Sequence, residues 1–205
     1  MAVSPDNQTH RELEAEVTEY LEGRGFSCAS LTYHDHLPQA MQDRIRRLYT
    51  PASLYVRHRA DRLAVHGLLP VVFEWEAKTH ETKAGGLHDC CIDAIPFLGH
   101  VVLSRNLGVH CLFCYRDQGD GRDYDVGFWS HHRPALREFR LPPQREAQQE
   151  KYYRELIARH FPQTPLRACG TTAGSGDPFA VIDEAEVALL PNWRALVGER
   201  IGRVS

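Results

Sequence analysis

No stretch of this 205-residue chain approaches the roughly 18 consecutive apolar residues that a membrane-spanning helix requires. Met1 to His10 carry neither a basic cluster nor an apolar run of the secretory kind, so the expected location is cytoplasmic, with no membrane contact. Basic charge is not in excess: 24 Lys and Arg stand against 27 Asp and Glu, a formal net charge of −3. A nucleic-acid partner would therefore have to meet a local basic surface. The glycine run at 170–176 lacks the Gly-Lys-Ser/Thr ending of a phosphate loop, and no Gly-x-Gly-x-x-Gly follows a strand pattern, which counts against nucleotide hydrolysis. Neither a Gly-x-Ser-x-Gly elbow nor a His-Glu-x-x-His helix is present, which counts against esterase and zinc-protease chemistry. There is no internal repeat. Hydrophobic residues at 42% and charged residues at 25% describe an ordinary globular domain.

What is there is an alternation of helix and strand signals. Leu13, Val17, Tyr20 and Leu21 recur at helical spacing from Thr9 to Gly25, with Thr9 and Glu12 spaced as a capping box. A second helix is expected over Leu37 to Leu48, with Pro38 in its first turn. Residues 53–58, 62–66 and 70–79 then read as a small antiparallel meander. In its last member, Val71, Phe73, Trp75 and Ala77 alternate with Glu74, Glu76, Lys78 and His80. Cys90 to Ile95 reads as a strand, Pro96 to Leu107 as a helix stopped by Gly108, and Val109 to Tyr115 as an apolar strand. That succession describes a crossover onto a buried parallel strand. Beyond Leu141-Pro142-Pro143-Gln144, a helix at 145–160, a strand at 179–182 and an interrupted helical stretch at 184–197 follow. The expected fold is α/β, a central mixed sheet flanked by helices. Residues 1–141 form its core, and 142–205 an extension that packs on the core or forms a dimer or substrate surface.

The residues that can carry chemistry are Asp61, fifteen positions before Glu76, with Lys78 two further on. Two carboxylates brought together by adjacent strands repel unless a divalent cation lies between them, and oxygen donors of this kind suit Mg²⁺ or Mn²⁺. A lysine on the same strand face can orient water and stabilise charge on a phosphate oxygen. Glu74 is a further acid on that face, and either it or Glu76 could be the main ligand.

In Asp61 and Glu76-Ala77-Lys78, and in the order helix, strand, strand, strand, helix, strand over about residues 9 to 116, the chain resembles the PD-(D/E)xK nuclease superfamily, which includes restriction endonucleases and Holliday junction resolvases. The resemblance implies a restriction endonuclease-like core that cleaves DNA phosphodiesters with Mg²⁺ or Mn²⁺. It gives Asp61, Glu76 and the Ala77 carbonyl as ligands and Lys78 beside the attacking water. A glutamate on the first helix often points to the metal in that family, and Glu16, then Glu12, are the candidates here. Ala60 stands where the family usually has proline before the acid. For a resolvase acting on two strands, the resemblance also implies a homodimer.

Arg44, Arg46, Arg47, Arg57 and Arg59 are candidates for a basic rim that holds a phosphate backbone, with His80 a further phosphate contact. Arginines at a helix end also complement its dipole. Cys28, Cys90, Cys91, Cys111, Cys114 and Cys169 read as free thiols. Cys111 and Cys114 have a C-x-x-C spacing near His110, but on an extended strand they point to opposite faces, so buried core cysteines are expected rather than a zinc or iron–sulfur site. Two other classes remain open: a DNA-binding or interaction module with the nuclease fold but no catalysis, and a structural protein stabilised by zinc or an iron–sulfur cluster.

Overall fold

A computed structural model describes residues 5–48, 50, 52–53, 56, 59–80, 91–108, 110–119, 122–132, 134–144, 147–169 and 178–204. The glycine run at 170–176, Tyr49, Tyr55, Arg57, His88 and Cys90 lie outside the described residues.

The first helix, α1, runs from Pro5 to Glu22, so Thr9 and Glu12 lie inside it rather than at its cap. Its Leu13, Val17 and Leu21 are fully buried, and each contributes about 2 kcal/mol of burial. Gly25, at φ 84°, turns the chain into β1 (Phe26–Ser30). The helices α2 (Tyr33–His36) and α3 (Gln39–Arg46) follow, with Pro38 at the N-cap of α3. Of the expected strand at 53–58, Ser53 and Val56 are helical instead.

The next strands are β2 (Arg62–His66) and β3 (Val72–His80). A short β4 (Cys91–Asp93) leads directly into α4 (Ala94–Leu107), which ends at Gly108 with φ 67°. A hairpin comes next, β5 (Cys111–Gly119) with β6 (Arg122–Trp129). The chain then forms β7 (Leu136–Leu141), α5 (Ala147–His160), β8 (Leu166–Ala168), β9 (Phe179–Ile182), α6 (Glu184–Val187) and α7 (Trp193–Gly202).

The fold is mixed α/β with a central mixed sheet flanked by helices. The strand order is β1-β2-β3-β5-β6, with β1, β2 and β3 antiparallel and β3 parallel to β5, so the parallel partner of β5 is β3 and not the Cys90–Ile95 strand that the crossover pattern anticipated. The strand expected at Cys90 to Ile95 does form in part, but it belongs to a second sheet of order β4-β9-β7-β8. Residues after 141 therefore supply β8 and β9 to a sheet they share with β4 and β7.

β3 is central, and both of its faces are covered. On one, Phe73, Trp75 and Ala77 pack with Leu112, Cys114, the α1 stripe, and Trp193 and Val197 of α7. On the other, Glu74, Glu76 and Lys78 are in register with Cys111, Phe113 and Tyr115, which pack beneath Phe97, Leu98 and Val101 of α4. The ionisable face is therefore not a solvated one: Glu74 and Glu76 are only 2% and 3% exposed. Among the described residues no helix is long and apolar enough to cross a membrane.

Candidate active site

Asp61 immediately precedes β2, one step beyond the Arg62–Trp75 pair, which sets it across from Glu76. Its Oδ2 accepts the backbone N–H of Ala77 at 3.4 Å. Glu76 turns Oε1 to Lys78 Nζ at 3.0 Å, and Lys78 reaches Asp93 Oδ2 at 2.8 Å. Asp93 occupies the N-cap position of α4 but makes no capping hydrogen bond with its side chain. Three acids from β2, β3 and the β4–α4 junction thus surround one lysine.

The second oxygen of Glu76, Oε2, is buried and has no hydrogen-bond partner among the described residues. Burial pushes this carboxyl up to about 8; Lys78 pulls it down, but Asp61 and Asp93 add to the rise. Asp61 is raised as well, by desolvation first and by Glu14, against the pull of Lys78 and His10. Burial works against the Lys78 ammonium, yet Glu76, Asp93 and Asp61 outweigh it and hold the lysine charged. An ammonium has three donors. Two are taken by Glu76 and Asp93.

Mg²⁺ commonly takes one or two protein carboxylates and completes its shell with water and substrate phosphate. The Oε2 of Glu76 and the Asp61 carboxylate across from it are hard oxygen donors of the type such an ion takes. Among the described residues no three His, Cys, Asp or Glu side chains converge as a ready-made metal cage.

Other sequence candidates fall elsewhere. Glu74 is not an open ligand, because Arg59 donates Nε and Nη2 to its Oε1 at 2.9 and 2.7 Å. Its Oε2 stands 3.6 Å from Nε2 of the fully buried His100, which burial and Arg59 lower to about 4. Arg59 is accordingly committed to a buried carboxylate rather than to an outer rim. Glu16 lies on α1, on the other side of the sheet from Glu76, where Arg116 donates to both of its oxygens at 2.9 and 2.8 Å. Arg116 also holds Asp125, and Arg194 reaches both acids at 2.8 and 3.1 Å. This network joins α1, β5, β6 and α7 and is separate from Asp61. Glu12 is exposed and accepts from Gln8. The first-helix acid whose field reaches Asp61 is Glu14, itself bonded to Arg62 at 2.7 Å.

Arg44 and Arg47 are exposed on and just after α3. The side chains of Arg46 and His80, and the whole of Arg57, lie outside the described residues. Cys111 and Cys114 are buried in opposite cores, one on each face of the sheet, and burial raises both thiols. Sequence reasoning missed Asp93, whose one signal is an acid at the end of a short strand just before Ile95-Pro96. It also missed His100, which sits within an apolar helix.

No family model and no curated protein matches the sequence. Among solved structures, the chain is similar to the Holliday junction resolvase Hjc of the archaeal hyperthermophile Archaeoglobus fulgidus. The identity is 13% and the TM-score 0.45, over 92% of this chain and 98% of that one.

Proposed function

We propose that the chain is a divalent-metal-dependent DNA endonuclease that hydrolyses phosphodiester bonds. The observation that carries this reading is the meeting of Asp61, Glu76 and Lys78 at the junction of β2 and β3, with one Glu76 oxygen buried and partnerless among the described residues. Burying a carboxylate without a partner is costly, and a cation held by Asp61, Glu76 and the Ala77 carbonyl offsets that cost.

Mg²⁺ or Mn²⁺, when bound, draws negative charge from the phosphodiester oxygens. The chain's own residues do the rest. Asp61 and Glu76 hold the ion, and Asp93 and Glu76 fix the Lys78 ammonium so that its remaining donor meets the phosphate oxygen on which charge develops. In hydrolysis water adds to phosphorus, one P–O ester bond breaks, and the departing sugar oxygen leaves as a hydroxyl. Arg44 and Arg47, exposed and near in sequence to this region, are assigned to the phosphate backbone.

The finer reading is a structure-selective nuclease of recombination or repair. Cutting two strands of a junction then needs two copies of the site, hence a two-fold dimer, with the exposed parts of residues 142–205 as the dimer or substrate surface.

The test is cleavage of labelled single-stranded, duplex, flap and four-way-junction DNA with Mg²⁺, with Mn²⁺ and with EDTA, with Lys78→Ala alongside. Metal-dependent cutting that Lys78→Ala loses supports the proposal. A folded protein that cuts none of these substrates overturns it in favour of a DNA-binding module. Sedimentation of the active species reports whether it is a dimer.

A further inference from the structure

A cavity of about 300 Å³ lies between the end of β6 and α7. Trp129, His131 and His132 form one wall, and Leu196, Arg200 and Arg203 the other. It is removed from the acids described above. Trp129 pairs with Leu112 near the start of β5, whereas Lys78 pairs with Tyr115 further along. Trp129 and α7 also pack on the α1 face of the sheet, opposite to Glu76.

Its chemistry is cationic and aromatic. The Arg200 guanidinium lies 5.9 Å from the Trp129 ring centre, and its Nε is buried with no acceptor among the described residues. A guanidinium is a planar fork of five donors suited to phosphate and carboxylate, and both Arg200 and Arg203 line this cavity. The His131 ring lies parallel to Trp129 at 6.3 Å and meets His110 edge-on at 4.6 Å. Burial lowers His131, and His110, Arg200, His132 and Arg203 lower it further, which is the signature of a positive local field. Two carboxylates are near, and one of them, Glu199, itself lines the cavity. Glu199 is 3.7 Å from the exposed Arg203, and Glu186 is 3.6 Å from His132.

We propose that this cavity is a second, non-catalytic ligand site that binds a phosphate ester between Arg200, Arg203 and the His131–His132 pair. A volume of about 300 Å³ is at the small end of ligand pockets, enough for a phosphate and an attached sugar-sized group. The phosphate comes either from a nucleic-acid backbone or from a free mononucleotide, and the two sources are separable.

The experiment is calorimetric titration of the full chain with inorganic phosphate, a 5′-mononucleotide and a duplex oligonucleotide, for the native protein, Arg200→Ala and Asp61→Asn. Arg200→Ala is expected to weaken phosphate and mononucleotide binding about tenfold, the loss of one charge-assisted contact. Asp61→Asn is expected to leave both unchanged. If Arg200→Ala also weakens the duplex and lowers its salt slope by about one, the source is the nucleic-acid backbone. If duplex affinity is unchanged, the source is the free ester. Absence of phosphate-ester binding by the native protein, equal affinity in Arg200→Ala, or loss of binding in Asp61→Asn overturns the proposal. Should Arg200→Ala fail to fold, Arg203→Ala and His131→Ala take its place, and unchanged affinity in both overturns it equally. The catalytic reading stands or falls on Lys78→Ala cleavage, independently of this outcome.

Discussion

Arg59 closes two donors, Nε and Nη2, on the single Oε1 of Glu74, and so removes that acid from competition with Glu76. Glu76 has one oxygen on Lys78 and the other buried without a partner among the described residues. The two glutamates of one strand face therefore differ in kind. Glu76→Gln is expected to abolish metal-dependent cutting while the protein stays folded. Arg59→Ala removes two charged hydrogen bonds from the Glu74 carboxylate, which is 2% exposed, and is expected to lower stability by about 3 kcal/mol. Cleavage assays and chemical denaturation of both variants check this, and substantial activity in Glu76→Gln would move the ligand role to Glu74.

The pH dependence of stability follows from two buried groups with opposite signs. Glu76 is raised from 4.5 to about 8, so the native state holds its proton more tightly than the unfolded chain does, and stability falls as pH rises between those values. His100 is lowered from 6.5 to about 4, so its contribution is present above 6.5 and is lost as pH falls through that window. The two slopes oppose each other below pH 6.5, above which the Glu76 decline remains, and the raised Asp61 carboxyl acts in the same sense as Glu76. Urea unfolding of the native protein is expected to show stability falling from pH 6.5 to 8, and Glu76→Gln is expected to remove that fall. A flat native profile over the same range would refute the assignment of Glu76 as a raised carboxyl. Metal must displace the same proton, so Mg²⁺ affinity is expected to rise across this range.

The central grouping was legible because period-two alternation on β3 and a hairpin-sized interval from Asp61 are local properties. Asp93 was not legible. It reaches Lys78 from a strand that pairs with β9, near the far end of the chain, and no local pattern encodes that placement. The first-helix acid shows a different limit. The apolar stripe of Leu13, Val17 and Leu21 orients α1, but Glu14 and Glu16 flank that stripe on different sides, and only packing decides that Glu14 faces Arg62 while Glu16 faces Arg116. β1 carries small and polar residues, Ser27, Cys28, Ala29 and Ser30, and is made a strand by its partner β2 rather than by propensity.

Gly127 on β6 shows how closely α7 approaches the sheet. A Cβ there would lie 2.7 Å from Trp193 Cβ and 2.9 Å from the Phe113 carbonyl oxygen, and neither belongs to a flexible side-chain end. Gly127→Ala is expected to cost about 1–3 kcal/mol by overpacking, with α7 displaced from the β5–β6 hairpin. Thermal unfolding measures the cost. An unchanged Tm would mean that α7 is not seated as described.

Arg116 holds Glu16 and Asp125 at once, and Arg194 repeats both contacts, so two guanidinium groups balance two carboxylates across four elements. The hydrogen bond from Arg116 lowers Glu16, and Arg116 and Arg194 lower Asp125 against its burial, so both acids are charged at neutral pH. A carboxylate satisfied in this way has a structural role, and it lies on the sheet face away from Asp61. Glu16→Gln is expected to leave the cleavage rate close to native and to lower stability by about 1–2 kcal/mol through the weakened charged hydrogen bonds. Asp61→Asn is expected to do the reverse, with cutting lost and stability little changed. If Glu16→Gln instead abolished cutting in a protein of native stability, the helix acid would belong to the catalytic cluster, and the rotational setting of α1 would have to differ in the complex with DNA.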